Sequence, residues 1–543
     1  SDTANTSAAN IHSLKNLLDT AADAASATAS AINLTNVTSL TGPAMDLLAV
    51  FAAKTSGQVS NLAANVAVTI DESGTGDSAV SVADANSIDS YTTGAITGTI
   101  LETDSTTLST LNSDADNANA YTITVAGTAD AGDLVTLETK TSVKVTMTGL
   151  TTVTGTLAEA EALFTLHNDE KVNLGSSPSI AITLSDTNVS VAHVNTLSAQ
   201  TSGVVTATIY EGDYSTLSGL TATGTGNENV YAITASENLT VTQANALQAK
   251  TNGVITATIS TGDISTLKTL TDEFSNNVYT LTITDSGPAA ASDINSIKAV
   301  NTNGTITASN IATVTGTAAD VITAYSNVNT GFGNEAININ SGTVTVSQAR
   351  SLNALTSSTV TGEIVNTSRI SAILDSSTGI TESGGSNAYT ITIASADAAA
   401  SASDLNSIND LTTVAVNLAN VTSLTSSSLT DLGTLATAIT NNEFSNDTGI
   451  TTIAVSDTTI AADTLAARID SFDSINGGST TGMTLASGAT INVSSSEIAE
   501  MLADETANRL TITDQNITVD SGTISVDNAN LLDATTTGTV TAS

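Results

Sequence analysis

Residues Leu239–Ile259 read LTVTQANALQAKTNGVITATI, and the same pattern stands fifty residues earlier as VSVAHVNTLSAQTSGVVTATI from Val189. A more diverged copy, PAAASDINSIKAVNTNGTITA, begins at Pro288, and Asn195, Asn245 and Asn295 keep the register. A period of this size, with two kinds of hydrophobic spacing inside each unit, is the mark of a stacked array in which every unit buries its neighbour. Within the first half of the unit, TQANALQAK places Ala244, Leu247 and Gln248 on one helical face, with Asn252 and Gly253 as a C-terminal stop. The following VITATI alternates: Ile255, Ala257 and Ile259 point one way and Thr256 and Thr258 the other, the period of a strand with one face buried. In the second half, Asp263 reads as the N-cap of ISTLKTL, whose Ile264, Leu267 and Leu270 lie at helical spacing, and Asn276 and Asn277 turn the chain into the strand VYTLTIT.

Strand, helix and strand in tandem imply parallel pairing between successive turns. The expected fold is therefore α/β: an elongated solenoid of stacked helix–strand repeats, about 50 residues per double turn, with a parallel β-sheet. Roughly twenty turns stacked about 4.8 Å apart would give a rod on the order of 100 Å, right-handed by the chirality of β-α-β connections. The unit recurs from Val80 (VSVADANSIDSYTTGAITGTI) with the strand AYTITV at Ala120, from Val344 (VTVSQARSLNALTSSTVTGEI) with AYTITI at Ala388, and from Ala402 (ASDLNSINDLTTVAVNL). AINLTNVTSLTG at Ala31 and AVNLANVTSLTS at Ala415 form a second family, and KVNLGSSPS within the blurred stretch 126–186 reads as an insertion or an irregular coil. Four sections of one continuous array follow: helix-rich repeats over 1–79, a diverged repeat with an irregular insert over 80–188, regular repeats over 189–343, and diverged repeats over 344–543. ISVDNANLLDATTTGTVTAS, from Ile524, stops inside a unit, so the chain is expected to be one piece of a longer polypeptide.

Composition narrows function more than fold. The 543 residues are 40% hydrophobic with mean hydropathy +0.16, too apolar for a disordered chain, yet aromatics are 3% and tryptophan is absent, so the core must be aliphatic. Acids outnumber bases 53 to 12, a net charge of −41. A nucleic-acid binder needs a basic stripe to displace phosphate counterions, so nucleic acid and anionic membranes are not expected partners. A salty exterior with divalent cations would screen such a charge. Cysteine is absent, and no run reaches the length of a membrane span.

The repeated asparagine is the polar position with the clearest positional meaning: Asn86, Asn195, Asn245 and Asn530 each stand eight residues before a glycine, and Asn295 and Asn406 occupy the same register. An amide there can bond to the backbone of a bend and to its equivalent one repeat away, a structural ladder. Arg350 replaces it once. In NSDADNAN, Asn112, Asp114 and Asp116 alternate as in the first half of a calcium loop, without the glycine and glutamate such loops need. Calcium is thus the one cofactor the reading allows. His12, His167 and His193 fall at unrelated places, no nucleophile elbow or phosphate loop occurs, and GFGNEA at Gly331 reads as a simple turn. Polysaccharide cleavage would need acids beside bases and aromatic sugar platforms, which are scarce here. The sequons at Asn36, Asn188, Asn238 and Asn420 are what a chain rich in Asn, Ser and Thr carries by composition.

Units of the form V-T-V-x-x-A-N-x-L-x-A-x-T-x-G-V-V-T-A-T-I, as at Val80, Val189, Leu239 and Val344, resemble those of very large, acidic, cysteine-free surface proteins of marine cyanobacteria, S-layer or adhesin in type. Similar stretches occur in virion proteins of phages that infect them. The resemblance implies a non-enzymatic structural protein of the cell surface that forms an extracellular layer, filament or adhesive stalk. Self-association would be its main interaction, with surface glycans as further partners and no insertion into the membrane. A phage tail fibre or virion appendage is the alternative, and a polysaccharide-acting enzyme a distant third.

Overall fold

The computed structural model describes residues 5–25, 31–73, 78–112, 119–221, 229–381, 387–477, 481–520 and 523–542. Among them are nineteen α-helices and many short strands, and every strand pair is parallel. The chain is thus an α/β protein of parallel sheets, none of which closes into a barrel. It divides into two compact units that part within the regular stretch: residues 1–260 with 271–280 and 302–304, and residues 261–270 with 281–301 and 305–543.

In the first unit a five-stranded sheet takes its strands in chain order, Asn5–Ser7, Ser39–Gly42, Ala67–Ile70, Ile96–Thr99 and Ala120–Thr122. A second sheet runs from the long strand Val145–Gly155 through Ala181–Leu184, Val205–Thr208, Val230–Thr234 and Ile255–Thr258 to Val278. Its register is uniform: Ile182 faces Val205, Ala207 faces Tyr231, Ile233 faces Ile255 and Ala257 faces Tyr279. A slip by one residue would turn this whole aliphatic column to solvent, so the alternating pattern specifies the register. The second unit repeats the scheme, with Pro288–Ala290, Thr313–Gly316, Ala336–Ile339, Val360–Glu363 and Ala388–Thr390 in one sheet.

The helices that pack on these sheets are of two kinds. First-half helices such as Val82–Asp89, Val191–Ser198 and Val241–Gln248 have eight residues and are capped by Ser or Thr hydroxyls. At Thr240 the cap is reciprocal: its hydroxyl accepts from the Gln243 N–H while the Gln243 amide oxygen accepts from the Thr240 N–H. Ala244, Leu247 and Gln248 are buried, as their spacing predicts. Second-half helices shrink to one turn capped by aspartate: Ser105–Leu108 by Asp104, Tyr214–Leu217 by Asp213, and Ile264–Leu267 by Asp263. The longer helix expected to reach Leu270 ends at Leu267, although Leu270 is buried in the turn that follows.

One further expectation is corrected. Gly253 is not a left-handed C-terminal stop, because its φ is not positive; it is glycine because the chain there lies against the Tyr231 backbone. The stretch 126–186, where the sequence pattern blurs, holds helix Ala131–Leu137, strand Val145–Gly155 and helix Leu157–Asn168 opened by a Thr156–Glu159 capping box, and the pairing of Thr124–Asp130 with Val145–Gly155 shifts register twice. Val172–Asn173, from KVNLGSSPS, adds a two-residue strand beside Val145–Thr146. The second sequence family does the same elsewhere, Ile32–Asn33 pairing with Val59–Ser60 and Val416–Asn417 with Phe444–Ser445. In each case a twelve-residue helix, Leu157–Asn168, Ala44–Thr55 or Leu429–Thr440, stands next to the extra strand.

Candidate functional site

The repeated asparagines are clamps between consecutive half-repeats. Asn195 Nδ2 donates to the Gly219 carbonyl at 2.8 Å while its Oδ1 accepts from the Thr221 N–H at 2.9 Å and the Thr221 hydroxyl at 2.9 Å. Asn86 makes the same pair of bonds with the Thr110 carbonyl and the Asn112 N–H, and Asn245 accepts from the Thr271 N–H and hydroxyl. Asn295 and Asn406 donate to the carbonyls of Asp320 and Asp431. Each partner lies 24 to 26 residues ahead, so the amide reaches the backbone of the next half-repeat rather than the equivalent asparagine a full repeat away. Arg350 fills the role by donating to the Gly379 carbonyl at 3.2 Å. Asn530 is exposed.

A second, interior ladder escapes sequence reasoning. Asn119, Asn229 and Asn277 are at most 1% exposed, and each Oδ1 accepts the first N–H of the preceding strand: Ile96, Val205 and Ile255, at 2.8 to 2.9 Å. Their amide groups donate to Asp89, Ser198 and Gln248 at the end of the neighbouring helix. Threonines form a third column. Thr92, Thr201, Thr251, Thr356, Thr412 and Thr536 each donate to a carbonyl within or immediately before the preceding strand, and accept an N–H two residues on. These groups supply partners to backbone that the bends would otherwise bury unpaired. The signal was present as the tripeptide Asn-(Ala/Val)-Tyr that opens the strands at Asn119, Asn229, Asn277 and Asn387.

Carboxylates continue the theme. The first free N–H of a helix receives a carboxylate from the following half-repeat at Ala44 from Glu72, Val82 from Glu102, Leu157 from Asp186, Val191 from Glu211, Ile264 from Asp285, Ile370 from Asp397 and Leu429 from Asp457, at 2.6 to 3.1 Å. A negative group at a helix N-terminus satisfies an orphan donor and complements the macrodipole. The capping aspartates show this in their acidity. The Thr107 N–H holds Asp104 below the usual carboxylate range, the Ser215 hydroxyl does so for Asp213, and the Thr266 N–H for Asp263. Folded values lie below unfolded ones, so this stabilisation is present above about pH 4 and is lost as pH falls further.

Alkali acts in the opposite direction. Tyr231, Tyr279 and Tyr389 are fully buried, and burial raises all three phenols, Tyr231 to about 12 from its ordinary 10.0. A raised acid contributes stability in full below pH 10 and loses it as pH climbs towards the folded value. Tyrosinate absorbance from these residues should therefore appear together with loss of circular dichroism above pH 10. Ionisation of the buried phenols in a chain that keeps its full spectrum would refute the burial argument.

The residues read for chemistry are placed apart. His12 pairs with Asp46 at 2.5 Å, His167 lies 3.4 Å from the Val172 carbonyl, and His193 sits 2.7 Å from the Ser190 hydroxyl, which is the N-cap of its own helix. In GFGNEA, buried Glu335 accepts from the Gly333 N–H and the Tyr325 hydroxyl, which makes the segment a pinned turn. Asn112 belongs to the Asn86 clamp and donates to Asp89 at 3.0 Å, while Asp114 and Asp116 lie outside the described residues. Among the described residues no group of three or more His, Asp or Glu side chains is set to hold a metal ion, and no helix is long and apolar enough to cross a membrane.

The fold and these ladders describe an α/β chain of parallel sheets in which recurring polar positions join one half-repeat to the next. No protein-family model matches the chain, and no curated protein is detectably similar to it in sequence.

Proposed function

We propose that this chain is a structural, non-enzymatic segment of an extracellular surface protein, an elongated solenoid that assembles into a layer, filament or adhesive stalk. The observation that carries the reading is where the recurring polar side chains are used. Asparagines, threonines and carboxylates at most of the repeating positions join consecutive half-repeats or cap their own helices, the economy of a scaffold rather than of a reaction centre. The likeness of the units to those of large acidic surface proteins of marine cyanobacteria agrees with it. Against 53 acids the chain has 12 bases, so divalent cations bridging exposed carboxylates are the natural means of bringing copies together. Surface glycans are further partners.

Electron microscopy of the full chain with calcium and with a chelator tests this. Ordered filaments or sheets that loosen on chelation are the expected result. Isolated particles in both conditions, even at high protein concentration, would remove the assembly reading.

A further inference from the structure

Two cavities of about 560 Å³ and 540 Å³ open beside helices Leu429–Thr440 and Ala462–Ile475, and they share Thr437, Asn441 and Arg468. The guanidinium of Arg468 lies over Gly433, so close that a β-carbon there would come 2.7 Å from its Cζ. The other three arginines have partners: Arg350 the Gly379 carbonyl, Arg369 the carboxylate of Asp397, and Arg509 those of Asp470, Asp473 and Asp504. Arg468 has neither an ion pair nor a hydrogen bond among the described residues, and its Nε is buried without an acceptor.

The buried Nε is packed against Gly433 and is not open to a ligand, so what the cavity offers is the terminal nitrogens of the guanidinium, which have no acceptor among the described residues. Glu443 lines the first cavity with Arg468, but its oxygens accept from the amides of Asn409 at 2.7 Å and Asn441 at 3.4 Å, and it does not reach the guanidinium. The cavity thus holds a strong donor and a carboxylate acceptor that do not touch, with the hydroxyl-bearing Thr430, Thr434 and Thr437 beside them. Its volume falls within the roughly 300–1,000 Å³ typical of small-molecule sites.

We propose that this cavity binds the uronate unit of an acidic saccharide, with the sugar carboxylate on Arg468 and a ring hydroxyl donating to Glu443. A planar guanidinium recognises a carboxylate through two parallel hydrogen bonds. A simple carboxylic acid would satisfy Arg468 but set a second negative charge beside Glu443 with no hydroxyl to offer it. A neutral sugar would serve Glu443 and leave the guanidinium without its best acceptor. A carboxylate carried on a second copy of the chain would bring a net charge of −41 with it. The site stands independently of whether the chain assembles.

Calorimetry and saturation-transfer NMR on the full chain, with glucuronate, glucose and acetate as probes, test the assignment. Glucuronate should bind at least tenfold more tightly than glucose or acetate. Arg468→Gln should lose at least tenfold in glucuronate affinity with an unchanged melt, since the side chain makes no internal bond. Gly433→Ala, which displaces the guanidinium without removing it, should weaken binding as well. No glucuronate binding to the parent chain, equal binding to Arg468→Gln, or glucose bound as well as glucuronate would each overturn the proposal. So would dimerisation that Arg468→Gln abolishes, which would identify the partner as a protein carboxylate.

Discussion

A Gly253→Ala chain should lose about 3 kcal/mol of stability, an unusual cost for one methyl group. The reason is the approach of two backbones. An alanine β-carbon at this position would lie 2.7 Å from the Tyr231 nitrogen and nearer still to its carbonyl, and none of these atoms can rotate away. The Thr251 hydroxyl donates to the same carbonyl at 3.1 Å, and the Gly253 N–H donates to Thr251 at 2.9 Å, so relief of the clash would break the threonine column too. Gly94, Gly203 and Gly538 meet backbone at or just before the start of the preceding strand as closely, and their alanine variants should behave alike. Gly287→Ala is the control, because nothing lies within 4 Å of its β-position and its φ is not positive. It should be neutral or slightly stabilising, by at most ~1 kcal/mol. Urea unfolding followed by circular dichroism ranks the two; equal effects would mean that the close approach is not the cause.

Leu247→Asp should cost about 5 kcal/mol, since Leu247 is fully buried and an unpaired carboxylate there has no compensating donor. Excision of residues 189–238 removes far more material and should be tolerated better. It joins the chain at equivalent points of two repeats, and Ile182, which now faces Val205, would face Ile255, the residue in the same register fifty positions on. In an array stabilised by nearest neighbours, one repeat lost subtracts one unit and one interface, whereas a charge inside a repeat damages the unit and both its interfaces. Thermal melts compare the two variants, and a lower midpoint for the excision than for Leu247→Asp would count against nearest-neighbour stacking.

Much of the local architecture was legible in the residue pattern because it depends on periods of 2 and 3.6. Ile255, Ala257 and Ile259 alternate with threonine and are buried as expected, and Ala244 and Leu247 face the core. Asp263 caps its helix where the spacing places it. Legibility failed where one residue type serves two ends. Asn245 and Asn277 are both asparagines in polar stretches, yet one is a half-buried clamp and the other is wholly buried beneath the next strand. Sequence could rank neither, because the difference lies in which backbone passes overhead.

The chain by itself determined the secondary-structure order, the fifty-residue period, the aliphatic core and the acidic surface, all consequences of side-chain size, branching and charge read along one dimension. Only the tertiary structure decided that the clamps reach half a repeat ahead, that Gly253 is held by a neighbouring backbone, and that Arg468 lies over a cavity with no partner among the described residues. Those facts belong to contacts between segments 20 or more residues apart, where packing chooses among chemically equivalent residues and the linear pattern carries no preference.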